Sequence, residues 1–596
     1  MDESDIRRLI GNVKRGRLSR RGFIERMAAV GIAAPLASQL LTFGGVAMAE
    51  TPFVYEPKKR GGGGTLKVLW WQAPTLINPH FATGTKDQDA SRIFYEPLAG
   101  WDVDGNLVPQ LAAEIPSLEN GGVAKDGKSV TWKLRKDVKW HDGKPFTADD
   151  VVFNWVYVTN PQTAAVTLGS YNYNKAVKVD DYTVRVEFDK PTPFWADPFV
   201  GVNGMIIPKH IFEPYVGAKA HAAHVNLTPI GTGAFKFKEF HPGEFVSGVI
   251  NTDYYIPNKP YFDAIEMKGG GDATSAARAV LSTGEYDYAW NLQVEWKVLS
   301  ALQKQGKGKV NLIPSGSVEH IQLNNTDPNK EVDGQRSSIK TKHPTLSDPE
   351  VRKAMALLID RKGVQDFIYG PEAVATGNYV NDPPRYVSKN THWEFNIAKA
   401  NEILDKAGYK KGADGIRAKD GHRMDYLYQT SINGPRQKNQ EIVKQACAKA
   451  GINIRIKAVI ASVFFSSDVS NPDTYPKFYA DLQMYTTNPS FPDPWQWMYS
   501  FVSTQAAQKE NNWQGRNITR WNNPEYDKVY AEAGNEMDPI KRTALLIKMN
   551  DLVCDLVAVI PELSRRDVSA QKNELVTRLS GWDDDMWDVR SWYKKA

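Results

Sequence analysis

The chain contains short segments in which apolar and polar side chains alternate. They are residues 65–70, 130–134 and 183–188. A period of two is typical of β-strands with one buried face. These segments therefore predict strands near the start of the chain and in its first third.

Other segments repeat their apolar residues at the helical period, and they predict amphipathic helices over residues 273–281, 348–368, 397–407, 437–450 and 524–536. Asp348 followed by Pro349 is typical of a helix N-cap with proline in the first turn. Strands and helices alternate irregularly, with no internal repeat and no low-complexity linker. This pattern predicts a mixed α/β protein of two or three domains.

The first 49 residues have the order of an export signal. Arg20 and Arg21 precede Gly-Phe-Ile, a mildly apolar run covers residues 27–46, and Ala47-Met48-Ala49 supplies a small-x-small cleavage site. The paired arginines resemble the twin-arginine signal. We expect a signal peptide cleaved near Ala49, followed by a flexible leader over residues 50–64. A retained membrane anchor is the alternative reading of the same run.

The formal charge of +5 comes largely from this amino-terminal segment, because the rest of the chain is nearly neutral. Because the chain after residue 49 is nearly neutral, its net charge does not favour binding to nucleic acid. The chain has 17 Trp, 25 Tyr and 23 Phe, which is enough for some to line a binding surface. The two cysteines, Cys447 and Cys554, lie in helical patterns and are expected to be small buried residues, with a disulfide left open.

The sequence contains no HExxH, G-x-S-x-G or P-loop motif. His221 and His224 are spaced for shared metal ligation, but they are flanked by alanine and have no acid nearby. The sequence therefore predicts no enzyme activity, no metal and no cofactor. A hydrolase whose nucleophile and base come from distant segments remains an open alternative.

Several segments carry a family resemblance. VTWKLRKDVKWHDGKPFTADDVVF at residues 130–153, PIGTGAFK at residues 229–236 and NPEYD at residues 523–527 resemble segments of the extracellular solute-binding proteins of family 5. This family includes dipeptide-, oligopeptide-, opine- and nickel-binding receptors of ABC importers. The similar segments occur in order along nearly all of the chain after residue 65.

The resemblance implies an α/β, two-lobed periplasmic binding protein fold of type II, in the large variant with an extra subdomain in lobe one. Lobe one is expected over residues 65–316 and 565–596, and lobe two over residues 317–564. Two crossover strands, near residues 311–322 and 559–564, would form the hinge, and closure of the lobes would enclose the ligand.

The implied function is a periplasmic receptor that captures a peptide, or a peptide-like, opine or sugar-conjugate solute, and delivers it to the permease subunits of an ABC importer. The protein is expected to be a monomer, exported through its signal peptide. An extracytoplasmic chaperone or a ligand sensor with the same fold is the alternative.

The segment at residues 481–497 resembles the ligand-binding loop of the family. Peptide-binding members commonly carry an acid three positions before an Asp-Pro pair, where it binds the peptide ammonium. Here the pair is Asp493-Pro494, and the acid is replaced by Ser490, with Asn488 nearby. A serine cannot neutralise a buried ammonium. This departure favours a ligand other than an ordinary free peptide amino terminus, or a different acid in that role.

The remaining candidates for ligand contact are aromatic and amide residues, which suit stacking and hydrogen bonding. They are Trp71, Trp290, Asn291, Asn324, Asn325, Tyr485 and Trp495. Arg436 has two open readings, one as a partner of a ligand carboxylate and one as part of a helix cap.

Overall fold

The computed structural model describes residues 3–14, 18, 20–28, 53–82, 84–465, 471–489, 491–511, 513 and 515–595. The strands are β1 Thr65–Leu69, β2 Ala99–Trp101, β3 Leu107–Pro109, β4 Ser129–Lys133, β5 Asn174–Asp180, β6 Thr183–Phe188, β7 Phe235–His241, β8 Phe245–Ile250, β9 Ala264–Lys268, β10 Tyr288–Ala289, β11 Gly308–Leu323, β12 Ala373–Ala375, β13 Lys410–Lys411, β14 Arg417–Lys419, β15 His422–Arg423, β16 Asp425–Ser431, β17 Asn453–Val459, β18 Leu482–Thr487, β19 Val559–Lys572, β20 Leu575–Val576 and β21 Tyr593–Lys594.

The α-helices are α1 Glu3–Lys14, α2 Arg20–Ala28, α3 Thr85–Arg92, α4 Ala148–Thr159, α5 Lys209–Phe212, α6 Ala273–Leu281, α7 Trp296–Gln303, α8 Pro349–Leu357, α9 Arg361–Val364, α10 Ile397–Lys406, α11 Gly434–Lys449, α12 Ala461–Phe464, α13 Trp495–Met498, α14 Pro524–Asn535 and α15 Pro539–Asp555. Among the described residues, no helix combines the length and the apolar character needed to cross a membrane.

The predicted strands and most predicted helices are confirmed, but the helix predicted over residues 348–368 is wrong as a single element. It ends at Leu357, and α9 begins at Arg361. The side chain of Asp360 accepts a hydrogen bond from Gly363 N, so it caps a new helix and competes with continuation of the first. Helix α11 begins at Gly434, earlier than predicted, because Asn433 caps it.

The chain divides into two compact units. The flanking unit contains Ala49–Ser315 and Asp567–Ala596, and the central unit contains Gly316–Arg566, with which Met1–Met48 is grouped. Strands β11 and β19 each run from one unit into the other. The two units are therefore connected through two long strands.

The flanking unit contains a mixed sheet in which the strand order is β19-β10-β1-β9-β8-β7. Strand β1 is parallel to β9 and β10, whereas β7, β8 and β9 form antiparallel pairs. A separate antiparallel sheet, β4-β6-β5, lies in the same unit, and α4 packs against it. The close approach of Gly231 to the Phe94 carbonyl leaves no room for a Cβ atom, which explains this glycine without a ligand.

Residues 53–64 correct the prediction of a flexible leader. Alternate backbone amides donate to a distant segment of the chain: Gly61 N donates to Pro260 O at 2.9 Å and Gly63 N to Tyr261 O at 3.0 Å. The carboxylate of Asp263 accepts from the amides of Gly62 and Gly64. A side chain at position 63 would meet the Tyr261 ring at 2.4 Å, so the glycine run serves close packing and not flexibility. The predicted cleavage site near Ala49 lies outside the described residues.

The central unit contains the strand order β17-β16-β18-β11-β19, with β12 also paired to β19. Strand β16 is parallel to β17 and β18, and β11 is antiparallel to β18. One face of these strands is covered by α8, α10 and α11, and the shared core includes Ile321, Tyr428, Leu482 and Met484. This packing fixes which side chains of β11 and β18 point away from the core.

Candidate ligand-binding site

Strands β11 and β18 alternate between the core and a polar face. Ile321 is opposite Met484 in the core, whereas His320 is opposite Tyr485 on the other face. Because the side-chain period of a strand is two, burying Met484 necessarily directs Tyr485 to that other face. This register, and not local propensity, positions the site.

Tyr485 is the centre of an aromatic cluster. Its ring centroid lies 4.6 Å from that of His320, 5.3 Å from that of Tyr475 and 6.2 Å from that of Phe465. Phe465 is 45% exposed, and Tyr475 and Tyr485 are partly exposed. The cluster therefore combines packed rings with open apolar surface, as ligand-contacting aromatics do.

The cluster extends from His320 to Tyr379, whose ring centroid lies 5.5 Å away. Tyr379 in turn stacks on Trp497 at 4.2 Å. We call His320, Tyr379, Phe465, Tyr475 and Tyr485 the aromatic wall. Burial lowers the pKa of His320 to about 4, so its imidazole is neutral at neutral pH.

A row of amide side chains lies beside the wall. Gln429 donates to Gln483 at 3.0 Å, Gln483 donates to Gln322 at 2.9 Å, and Gln322 donates to the Tyr485 hydroxyl at 3.2 Å. Each amide donates a hydrogen bond to the next group in the row, and this chain of hydrogen bonds holds the Tyr485 ring in one orientation. The wall is therefore preorganised by uncharged hydrogen bonds.

The carboxylate of Glu319, next to His320 on β11, is already paired. Glu319 is fully buried and lies 2.7 Å from Arg436 Nε and 3.4 Å from Arg565 Nη1. Burial opposes ionisation of Glu319, but the two guanidinium groups outweigh it and lower its pKa. Of the two readings of Arg436, the cap is confirmed, because its backbone N donates to Asn433 Oδ1 at 3.2 Å at the start of α11. The guanidinium of Arg436 is not an unpaired cation, because it binds Glu319 and Thr486.

The structure brings together three predicted residues of the flanking unit. Trp290 stacks on Trp70 with ring centroids 5.8 Å apart, and Trp71 Nε1 donates to the Asn291 carbonyl at 3.0 Å. Trp290 is buried, and Trp71 is partly exposed. Asn291 has a φ of 53°, a conformation that asparagine tolerates better than most residues. These residues form a compact aromatic platform whose ligand contact stays a prediction.

Asn324 and Asn325 are held by backbone groups. Asn324 is fully buried, and its Nδ2 donates to the carbonyls of Phe478 and Ala480 at 2.8 and 3.1 Å. The side chain of Asn325 donates to Thr519 O at 3.1 Å. The amide of Asn324 is buried and its hydrogen bonds join loops of the core, which indicates a structural role; the ligand contact predicted for it stays a prediction.

Asn324→Ala is expected to lower the free energy of unfolding by about 2–3 kcal/mol, because the carbonyls of Phe478 and Ala480 lose a buried donor. Chemical denaturation followed by circular dichroism measures the loss. A variant as stable as the wild type would contradict the structural role given to this amide.

The predicted loop after β18 is anchored through its Asp-Pro pair. Asp493 is buried and forms a bidentate ion pair with Arg542, and its Oδ1 also accepts from Trp495 N at 3.0 Å. Trp495 stacks on Tyr530 at 4.7 Å. A neighbouring helix therefore uses both carboxylate oxygens of Asp493, and the ligand contact predicted for this residue stays a prediction. Trp495 thus packs against α14, the helix that contains Tyr530.

Asn488 is exposed at the end of β18, and Ser490 lies outside the described residues. The sequence reasoning found Tyr485 but missed His320, Phe465, Tyr475 and the amide row. The polar residues at alternate positions of β11, His320 and Gln322, were the available signal. No sequence signal pointed to Phe465 and Tyr475, because only the tertiary fold brings them next to Tyr485.

The thiol and imidazole groups show no shared chemistry in the described part of the chain. Cys447 and Cys554 are free thiols. His221 stacks on Phe81, whereas His224 contacts the Tyr215 hydroxyl. No group of three or more His, Cys, Asp or Glu side chains among the described residues is arranged to hold a metal ion.

Comparison with known proteins places the chain in a family. The model of bacterial extracellular solute-binding proteins, family 5, matches residues 106–509, which is more than half of the chain. The chain belongs to this family. It is a family of solute-binding receptors and not of enzymes.

Two curated relatives match most of the chain. The oligopeptide-binding protein AppA of Bacillus subtilis is 27% identical over 491 residues, which is 80% of this chain and 81% of AppA. The glutathione-binding protein GsiB of Escherichia coli K12 is 24% identical over 508 residues, which is 84% of this chain and 89% of GsiB.

Solved structures confirm the two-lobed fold. Bacillus subtilis AppA in complex with a nonapeptide has a TM-score of 0.68 at 23% identity and covers 91% of this chain and 100% of its own. NikA from Brucella suis in complex with Fe(III)-EDTA has a TM-score of 0.72 at 22% identity and covers 89% of this chain and 100% of its own.

Proposed function

We propose that this chain is the extracytoplasmic receptor of an ABC importer, which binds a peptide or peptide-like solute and delivers it to permease subunits in the cytoplasmic membrane. The family match over residues 106–509 is the observation that carries the proposal. Relatives named for oligopeptides and for glutathione support a peptide-like solute. The aromatic wall of the central unit supplies surface that suits such a ligand.

The amino-terminal sequence supports export. The Arg20-Arg21 pair, the apolar run and the Ala47-Met48-Ala49 segment are consistent with a twin-arginine signal peptide cleaved near Ala49. The mature protein would then act in the periplasm as a monomeric carrier without catalytic activity.

The chemistry of the central unit favours a ligand that is recognised by stacking and amide hydrogen bonds. The carboxylates of Glu319 and Asp493 are both engaged by arginine. Asp481, which precedes β18, pairs with His343 at 2.9 Å. None of these three acids is available to bind a ligand ammonium. We therefore propose that the solute is bound without an ion pair from its amino terminus to β18 or the loop that follows it.

Blocking the amino terminus of a peptide ligand is expected to change its affinity by less than about threefold. A carboxylate that bound the ammonium would contribute about 1.5–3 kcal/mol, so acetylation would then weaken binding roughly 10- to 150-fold. Bound solute is first removed by reversible denaturation. Thermal shifts and calorimetric titrations then compare short free peptides with their N-acetylated forms.

Two exposed phenylalanines of the central unit provide matched variants. Phe465 belongs to the aromatic wall and is 45% exposed, whereas Phe367 is 86% exposed and lies outside the wall. Phe465→Ala is expected to weaken peptide affinity about tenfold, and Phe367→Ala to leave it unchanged. Equal effects of the two variants on peptide affinity would show that the aromatic wall is not part of the peptide-binding site. Failure of every peptide, free or acetylated, to bind the wild type would contradict the proposed function.

A further inference from the structure

The central unit contains an open pocket of about 350 Å³ that none of the predicted ligand residues lines. It lies among α8, α10, the end of α15 and the start of β19. We call it the Arg361 pocket, and its lining includes Leu357, Arg361, Trp393, Ile403 and Asp555. Its volume is at the lower end of the range for small-molecule sites, which is about 300–1,000 Å³.

Arg361 is the fixed cation of this pocket. Its side chain is buried, and Nε donates to the carbonyls of Thr376 and Pro561 at 3.0 and 2.8 Å. Nη1 lies within 3.4 Å of the Ile359 carbonyl. Within the described part of the chain, no carboxylate forms an ion pair with this guanidinium and no acceptor bonds to Nη2. The backbone thus holds the guanidinium in place and leaves one edge of it without an anion.

A buried cation without an anion is costly, so a site of this kind favours a carboxylate ligand. Glu562 is the acid that most raises the pKa of Arg361. Burial raises the pKa of Glu562 itself to about 8, so this acid is largely protonated at neutral pH and leaves the arginine uncompensated. The planar guanidinium of an arginine can donate two parallel hydrogen bonds to a carboxylate, which the ammonium of a lysine cannot do.

The other walls of the pocket suit an apolar group and an ammonium. Trp393 is 37% exposed, with its ring centroid 5.7 Å from Arg361 Cζ, and Leu357 and Ile403 add aliphatic surface. Asp555 is exposed and has no ion-pair partner among the described residues. Burial and the neighbouring Asp551 raise the pKa of Asp555, so a cation beside it would be stabilising.

The lysines of the lining are already engaged. Lys353 pairs with Glu350, and Lys399 pairs with Glu394, each at 2.7 Å. The groups left for a ligand are therefore one guanidinium, one carboxylate, the His392 imidazole near Asp555 and an aromatic face. Together they are complementary to a zwitterion with an apolar side chain.

We propose that the Arg361 pocket is a second binding site, which takes a free α-amino acid with an aromatic or large apolar side chain. The ligand carboxylate pairs with Arg361, its ammonium with Asp555, and its side chain packs on Trp393. This site is separate from the aromatic wall, so it does not depend on the proposed peptide site.

The test uses the full mature chain and L-phenylalanine as the probe. Ligand-observed NMR and calorimetry measure its binding beside that of 3-phenylpropionate, which lacks the ammonium, and L-phenylalaninamide, which lacks the carboxylate. Saturable binding of phenylalanine is expected, with each analogue at least tenfold weaker. The absence of saturable phenylalanine binding at millimolar concentration would overturn the proposal.

Exposed residues provide variants that should fold. Trp393→Ala and Asp555→Asn are each expected to weaken phenylalanine binding at least tenfold, while Phe395→Ala, a neighbouring ring outside the lining, leaves it unchanged. Thermal unfolding confirms that each variant is folded, and peptide affinity is expected to stay constant in all three. Phenylalanine binding that survives both pocket variants, or that Phe465→Ala abolishes, would assign the amino acid to another site and overturn the proposal.

Discussion

Asp493→Ala is expected to lower the free energy of unfolding by about 3–5 kcal/mol at neutral pH. The change leaves the guanidinium of Arg542 buried, since this residue is 7% exposed and its remaining bond is to the Ala533 carbonyl at 3.1 Å. It also removes the acceptor of the Trp495 amide. Urea denaturation followed by tryptophan fluorescence measures the loss.

Two further variants separate the ion pair from its surroundings. Asp493→Leu combined with Arg542→Met removes both charges and is expected to recover much of the lost stability, because neither ion is then left alone. Glu525→Ala breaks an exposed pair with Lys548, at 2.8 Å, and serves as the control with a far smaller loss. If Asp493→Ala costs no more than Glu525→Ala, the pair does not anchor the loop.

Glu562→Gln is expected to change how stability depends on pH. Glu562 is fully buried, and its Oε2 accepts from Asn439 Nδ2 at 2.6 Å. Burial first, and the nearby Glu319 next, raise its pKa from 4.5 to about 8. Between these two values the folded protein keeps a proton that the unfolded chain releases. The free energy of unfolding therefore falls as pH rises through this window and levels off above it.

Glutamine imitates the protonated acid, so the variant should match the wild type near pH 4.5 and exceed it increasingly up to pH 8. The difference grows by about 1.4 kcal/mol per pH unit and reaches at most about 5 kcal/mol. Denaturant titrations from pH 4.5 to 9 give the difference curve, with Glu402→Gln, an exposed acid paired with Lys406, as the control. A flat difference curve for Glu562→Gln would show that the buried carboxyl ionises normally.

The sequence determined the family and much of the local structure. The motif at residues 130–153 identified the family because a long run of matching residues does not depend on tertiary context. Alternating patterns located β1 and β6, and helix α6 was predicted with its observed bounds, Ala273–Leu281. These elements bury one regular face, so their periodicity is visible in the chain itself.

The candidate site depended on contacts that no local pattern records. Asp493 and Asn324 have the residue types of ligand contacts, but Arg542 and two backbone carbonyls occupy them. His320 and Phe465, which the sequence reasoning missed, reach Tyr485 through strand register and a loop. Residue type and order thus determined what kind of protein this is. Only the tertiary structure decided which polar groups hold the fold together and which remain for a ligand, because a buried polar group is defined by its partner and not by its place in the chain.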